Sequence, residues 1–132
     1  MKRWISQGNP FEAEFAYARA VVDGEWIHVA GTTGFDYATM TLAENVVAQC
    51  RQALANIGAV LSEAQARFVD VVRVRYYVLS ADDFAACAPV LREYFSQARP
   101  AATMLVVAGL IDPRLRIEIE VTAHRPEAFA AS

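Results

Sequence analysis

The sequence predicts an α+β fold: one mixed sheet of about six strands with two helices packed on a single face. Three stretches carry this reading. Residues 116–123 alternate strictly, with Ile117, Ile119, Val121 and Ala123 on one side and Arg116, Glu118, Glu120 and Thr122 on the other, the period-2 pattern of a strand with one buried face. Val46, Cys50, Leu54, Ile57 and Leu61 step by three or four residues, which makes one apolar stripe along a helix. Residues 71–79 read as a strand, followed by a helical pattern and then by a β-branched, apolar strand at 103–107. That order predicts a right-handed crossover joining two parallel strands.

Each element has its own local cause. From Phe15 to Val22 the residues are small or β-branched and read as a strand, Asp23-Gly24 supplies a hairpin turn, and an extended pattern resumes at Trp26 to Ala30. The loop 31–37, Gly-Thr-Thr-Gly-Phe-Asp-Tyr, holds two glycines that permit close backbone approach, and its spacing fits neither the P-loop nor the dinucleotide fingerprint. Thr41 and Glu44 form a Thr-x-x-Glu capping box that predicts the start of the first helix, with Gln49, Arg51, Gln52 and Asn56 turned away from its apolar stripe. In the strand 71–79, Val72, Val74, Tyr76 and Val78 share one side and Arg73, Arg75 and Tyr77 the other. Ser80 or Asp82 caps a second helix carrying Phe84, Cys87 or Ala88, Leu91 and Phe95. Pro89 either kinks it or opens its main part, because a proline inside a helix costs about 3 kcal/mol. The tail from Arg125 is expected to fray.

Composition bounds the function. The 132 residues, 55% of them hydrophobic, predict a single domain over 1–132 with a sizeable core. The net charge of -3 offers no basic footprint for nucleic acid or an anionic membrane. Cys50 and Cys87 fall within helix patterns and read as reduced core thiols, since two cysteines do not make a secreted disulfide framework. No stretch approaches the roughly 20 apolar residues of a membrane span, and the N-terminus lacks a signal-peptide apolar run, so the expectation is cytoplasmic. His28 and His124 lack partners at ligand spacing, which argues against a metal site. No Ser-His-Asp or Cys-His arrangement assembles either.

Two helices cover only one face of such a sheet. The other face, with Arg73, Arg75, Tyr77, Glu118 and Glu120, is either solvated or covered by further copies of the chain, and its aromatic content favours oligomerisation.

Over about 17–123 the chain resembles the reactive-intermediate deaminase family, also called RidA or YjgF-like. The matching residues are Tyr17, Asp23-Gly24 through Ala30-Gly31, Gln49, Arg51-Gln-Ala-Leu, Asn56, Val71-Val-Arg-Val, Asp83-Phe84, Tyr94-Phe95, Pro100-Ala101 and Ile117-Glu-Ile-Glu-Val-Thr-Ala. The resemblance implies a chorismate-mutase-like fold and a homotrimer whose sheets form a central barrel with ligand clefts between subunits. It implies hydrolysis of 2-imino acids or their enamine tautomers to 2-keto acids and ammonia, with no cofactor and no metal. By position, it assigns a water-orienting role to Glu118, a carbonyl contact to the imine nitrogen at Gly31 and a cleft-lining role to Tyr17. The family's carboxylate-binding arginine follows Pro-Ala, and here Ala102 occupies that place, followed by Thr103. Ala88 and Met104 stand where active members often carry Asn and Cys. These residues are the expected substrate-binding set. Arg99, Arg75 and Arg19 are candidate substitutes for the missing cation. The readings that stay open are an enzyme, a non-catalytic module binding a small metabolite, and a structural trimer. The family has also been described as endoribonucleolytic, which the acidic balance and absence of a basic-aromatic surface do not favour.

Overall fold

The computed structural model describes residues 2–126. Its main sheet has six strands: β1 (Lys2–Ile5), β2 (Ala20–Asp23), β3 (Trp26–Thr32), β6 (Val71–Val78), β7 (Ala101–Val106) and β8 (Ile117–His124), in the order β1-β2-β3-β8-β6-β7. A small hairpin, β4 (Phe35–Asp36) with β5 (Thr41–Leu42), lies outside it. The helices are α1 (Pro10–Glu14), α2 (Val46–Glu63), α3 (Ala81–Ala86) and α4 (Ala88–Phe95). Among the described residues only the β6–β7 pair is parallel, joined through α3 and α4 as the crossover pattern predicts.

The alternation of β8 holds along its length: Ile117, Ile119, Val121 and Ala123 are buried, and the residues between them only half so. They pack with Cys50, Leu54, Ile57 and Leu61 of α2 in one core. That apolar burial is the main favourable contribution, about 25 cal/mol per Å². Both strands flanking β8 carry one extra residue. On β3, Val29 pairs with Val121 and Thr32 with Ile119; on β6, Val71 pairs with Ala123 and Arg73 with Thr122. The β6 bulge corrects the expected facing of Val72, which is exposed, while Val71 and Val74 both point into the core.

Other expectations change locally. Asn45, not Thr41, caps α2, its Oδ1 accepting from Ala48 N at 2.7 Å; Thr41 belongs to β5. Gln49 is fully buried rather than turned outward. Phe15 to Tyr17 is no strand, because α1 precedes it with its own capping box at Asn9 and Glu12. Ser80 caps α3, accepting from Asp83 N at 3.1 Å, and Pro89 sits in the first turn of α4, where its missing N–H costs nothing. Residues 127–132 of the expected frayed tail lie outside the described residues. Arg125, its first residue, is buried and donates from Nε to the Ala64 carbonyl at 2.8 Å. Cys50 and Cys87 are free and buried; Cys87 Sγ donates to the Val46 carbonyl at 3.8 Å, and the neighbouring Cys87 thiol together with burial pushes the Cys50 thiol up. No described helix is long and apolar enough to cross a membrane.

Candidate functional site

The β3 bulge places the backbone of Gly31 against β8. A Cβ added to Gly31 would overlap the Glu118 carboxylate, so glycine is what lets that carboxylate lie on the strand. Gly31 and Glu118 together line a cavity of about 280 Å³, walled by Tyr17, Arg19, Phe11, Phe35, Tyr37 and Ile111 among others. Burial pushes the Glu118 carboxyl above its ordinary range; Arg19 pulls it down and Glu120 adds to the rise. On its other side Glu118 borders a second cavity of about 290 Å³, on the open sheet face, with Tyr77, Glu120, Val107 and Leu110. Glu120 is engaged there: it accepts from the Tyr77 hydroxyl, which holds that phenol above its usual range, and pairs with Arg75 at 3.6 Å.

Arg19 is 2% exposed. Its Nη2 donates to the Gly31 carbonyl at 3.1 Å and to Thr32 Oγ1 at 2.6 Å, and Thr32 Oγ1 donates in turn to the Ala30 carbonyl at 2.8 Å. The arginine thereby fixes the bulged backbone whose carbonyl the family resemblance assigns to the imine nitrogen.

Two amides of α2 hold the remaining walls. Gln49 Nε2 donates to the carbonyls of Ala43 and Arg114 at 2.8 and 3.0 Å, and its Oε1 accepts from Arg116 N at 2.8 Å. Asn56 Nδ2 donates to the carbonyls of Thr33 and Phe35 at 3.1 and 2.8 Å, while Gln52 donates to its Oδ1 at 3.0 Å. Gly34 fits because a side chain there would strike the α2 backbone at Gln49. Asp112 braces the 107–116 loop by a two-pronged pair with Arg114 at 2.8 Å, which lowers its carboxyl to about 2.

Of the residues expected from sequence, Glu118, Gly31 and Tyr17 meet in one cavity. The others do not join them within one protomer. Ala102 and Met104 line a separate groove of about 510 Å³ between β7 and α4, with Arg92 and Arg99 also in its wall. Thr103 faces the opposite side of β7, where its Oγ1 accepts from Arg73 at 3.1 Å, and Ala88 begins α4. Phe11, Phe35, Tyr37, Ile111 and Leu115 are cavity residues that the sequence reading did not name. Phe35 and Tyr37 were flagged only by their glycine-bordered loop. Among the described residues no three His, Cys, Asp or Glu side chains gather as a metal site.

A mixed six-stranded sheet with a half-buried carboxylate held against a glycine backbone defines an α+β protein with a polar cavity at the start of its last strand. The family model for Endoribonuclease L-PSP matches residues 7–125, and the chain belongs to that family. It is 34% identical over 133 residues to the 2-iminobutanoate/2-iminopropanoate deaminase of Capra hircus, covering all of this chain and 96% of that one. It is also 34% identical over 126 residues to a RutC family protein of Pyrococcus horikoshii, covering 95% of this chain and 99% of the relative. A solved member of the YjgF/YER057c/UK114 family from Mycobacterium tuberculosis superposes with a TM-score of 0.86 at 36% identity, over 95% of this chain and all of that one.

Proposed function

We propose that this chain forms a homotrimer and hydrolyses a reactive imine or enamine to a carbonyl compound and ammonia, in the cytoplasm and without a cofactor. One observation carries the chemistry: a desolvated carboxylate, Glu118, held against the Gly31 backbone in a cavity shared with Tyr17. In the reaction a water molecule gives a proton to Glu118 as its oxygen attacks the imine carbon. That proton passes to nitrogen to give the tetrahedral carbinolamine, and a second proton moves from its hydroxyl through Glu118 to nitrogen as the carbonyl forms and the C–N bond breaks, releasing ammonia. The Gly31 carbonyl accepts a hydrogen bond from the imine N–H, and Tyr17 lines the cleft.

The exposed edge strand supports the assembly. Met104, Leu105 and Val106 of β7 and Trp4 of β1 are apolar and exposed, and each edge of the sheet leaves backbone groups unpaired. A neighbouring protomer's β7 would bring Ala102, Thr103 and Met104, and the start of its α4 would bring Ala88, to the Glu118 cavity. With net charge -3, a nucleic-acid partner is not part of this reading, and nor is a membrane.

The test generates iminoalanine or iminoleucine with an amino-acid oxidase and follows ammonia release. Acceleration by the wild type and its loss in Glu118→Ala are expected. Equal rates in both would remove the reaction and favour the second reading, a metabolite-binding module, which Ala102 in place of the family arginine supports. Oligomeric mass in solution tests the assembly, and a monomer at micromolar concentration would overturn it.

A further inference from the structure

We infer that the Glu118 cavity takes an imine that carries no carboxylate, R–CH=NH with a small apolar or aromatic R, so that its preferred substrate is the product of amine oxidation rather than of amino-acid oxidation. This names the substrate class of the site and rests on the reading of that cavity as the reactive one.

The charges around the cavity are closed to an anion. Among the described residues Arg19 is the one cation in its wall. Its Nη2 commits both protons, to the Gly31 carbonyl at 3.1 Å and to Thr32 Oγ1 at 2.6 Å, and a two-pronged grip on a carboxylate needs that nitrogen. Its charge is answered by Glu118, whose carboxyl it pulls down against the rise that burial causes. Arg114 lies over the Phe35 ring at 5.5 Å but is held by Asp112 at 2.8 Å; Arg116 is paired with Asp83 at 2.6 Å and Arg75 with Glu120 at 3.6 Å. Arg92 and Arg99 line the other groove, and Ala102 puts a methyl group where the family carries its cation. A carboxylate entering here would lose water, find no free cation and face Glu118. Burial already pushes that carboxyl up, so the cavity resists even one negative charge.

What remains is aromatic and aliphatic surface. Phe11, Tyr17, Phe35, Tyr37, Ile111 and Leu115 enclose about 280 Å³, room for a small apolar substituent. A protonated imine sets a positive nitrogen against Glu118 and the ring faces, and the second lone pair of the Gly31 carbonyl is left for its N–H. The supplying reaction is the two-electron oxidation of a primary amine: R–CH₂–NH₂ gives a hydride to the flavin of an amine-oxidising enzyme and a proton to solvent, leaving R–CH=NH. Water then converts this to R–CHO and NH₃.

Three isosteres of different charge test the cavity apart from turnover. Wild-type protein is titrated by calorimetry with benzamidine, benzamide and benzoate. Benzamidine and benzamide are each expected to bind at least tenfold more tightly than benzoate, and Glu118→Gln to remove any advantage of benzamidine over benzamide. Benzoate binding as tightly as benzamide overturns the proposal, whichever protomer supplies the cation, and so does no binding of any of the three. In a second arm, benzaldimine is released from benzylamine by a flavin amine oxidase, and its carboxylated counterpart from phenylglycine by an amino-acid oxidase. The aldimine is expected to be hydrolysed with at least tenfold higher kcat/KM. Hydrolysis of both with the imino acid preferred overturns this inference and leaves the hydrolytic reading intact. The expected binding order without acceleration of either reaction removes the hydrolytic reading and leaves the charge preference of the cavity standing.

Discussion

Two concave regions of this protein, the cavity at Glu118 and the groove at Ala102, differ in how their charge is held. In the cavity at Glu118, a buried arginine and a desolvated carboxylate face each other across a glycine backbone, and amides from α2 tie down the loops that wall them. In the groove beside Ala102, the lining is mostly apolar, built from Val74, Tyr76, Phe84, Leu91, Phe95 and Met104, and its arginines lie on α4 and the turn that follows it. Fixed, dehydrated charge is what chemistry needs, because its interactions are strong and require little rearrangement at the moment of reaction. The groove has shape and apolar surface but lacks that preorganisation. On the proposed reading the first cavity holds the reacting half of the site, and the second is left for contact with a ligand's apolar part or a neighbouring protomer.

The sharpest way to break this contrast is to remove the nucleophile's orienter. Glu118→Gln is expected to lower imine hydrolysis by about 10² to 10⁴, the usual contribution of a positioned general base, in the ammonia-release assay. Next, Gln49→Leu removes three hydrogen bonds to the walls and strands the partners of a buried amide; a loss of about 3 kcal/mol or more in urea unfolding is expected. Gly31→Ala follows. Its new Cβ meets the flexible end of Glu118 rather than backbone, so the carboxylate swings away while the fold survives: activity falls more than tenfold, and the melting temperature moves by only a few degrees.

Smaller still is the pH dependence. The Glu118 carboxyl is raised in the folded protein, so between its ordinary value and the raised one the folded state holds more protons than the unfolded state. Stability contributed by Glu118 therefore falls as pH rises across that window, whereas hydrolysis rises with it as the base ionises. Comparing wild type with Glu118→Gln by denaturation at pH 4 to 8 should show that slope disappear.

Much of this was legible in the sequence. The β8 alternation marked both the buried row and the glutamates, and the α2 stripe named the core it meets. What pattern alone missed has a common cause in tertiary contact. Gln49 reads as a surface amide on a helical wheel, yet three backbone groups brought in from residues 43, 114 and 116 bury it. Thr41 and Glu44 match a capping box, but the chain first turns through β5 and Asn45 takes the cap. Phe11 and Ile111 lie a hundred residues apart, and only the fold shows that they share a wall. The resemblance supplied Glu118, Gly31 and Tyr17. It did not separate Arg19 from Arg75 or Arg99; the fold does, burying Arg19 against Gly31 and Thr32.

The bulge in β3 has a consequence for how this chain tolerates change in length. Three residues, from Val29 to Thr32, span what two residues span on β8. Deleting Ala30 would leave charge and nearly all of the core volume untouched, yet it would restore plain alternation: Thr32 would keep its inward place opposite Ile119, while Gly31 would fall into regular register opposite Glu120 and lose the bulged backbone that sets it against Glu118. The site depends on a count of residues as much as on their kinds, and a variant one residue shorter there would keep every named side chain and lose their arrangement.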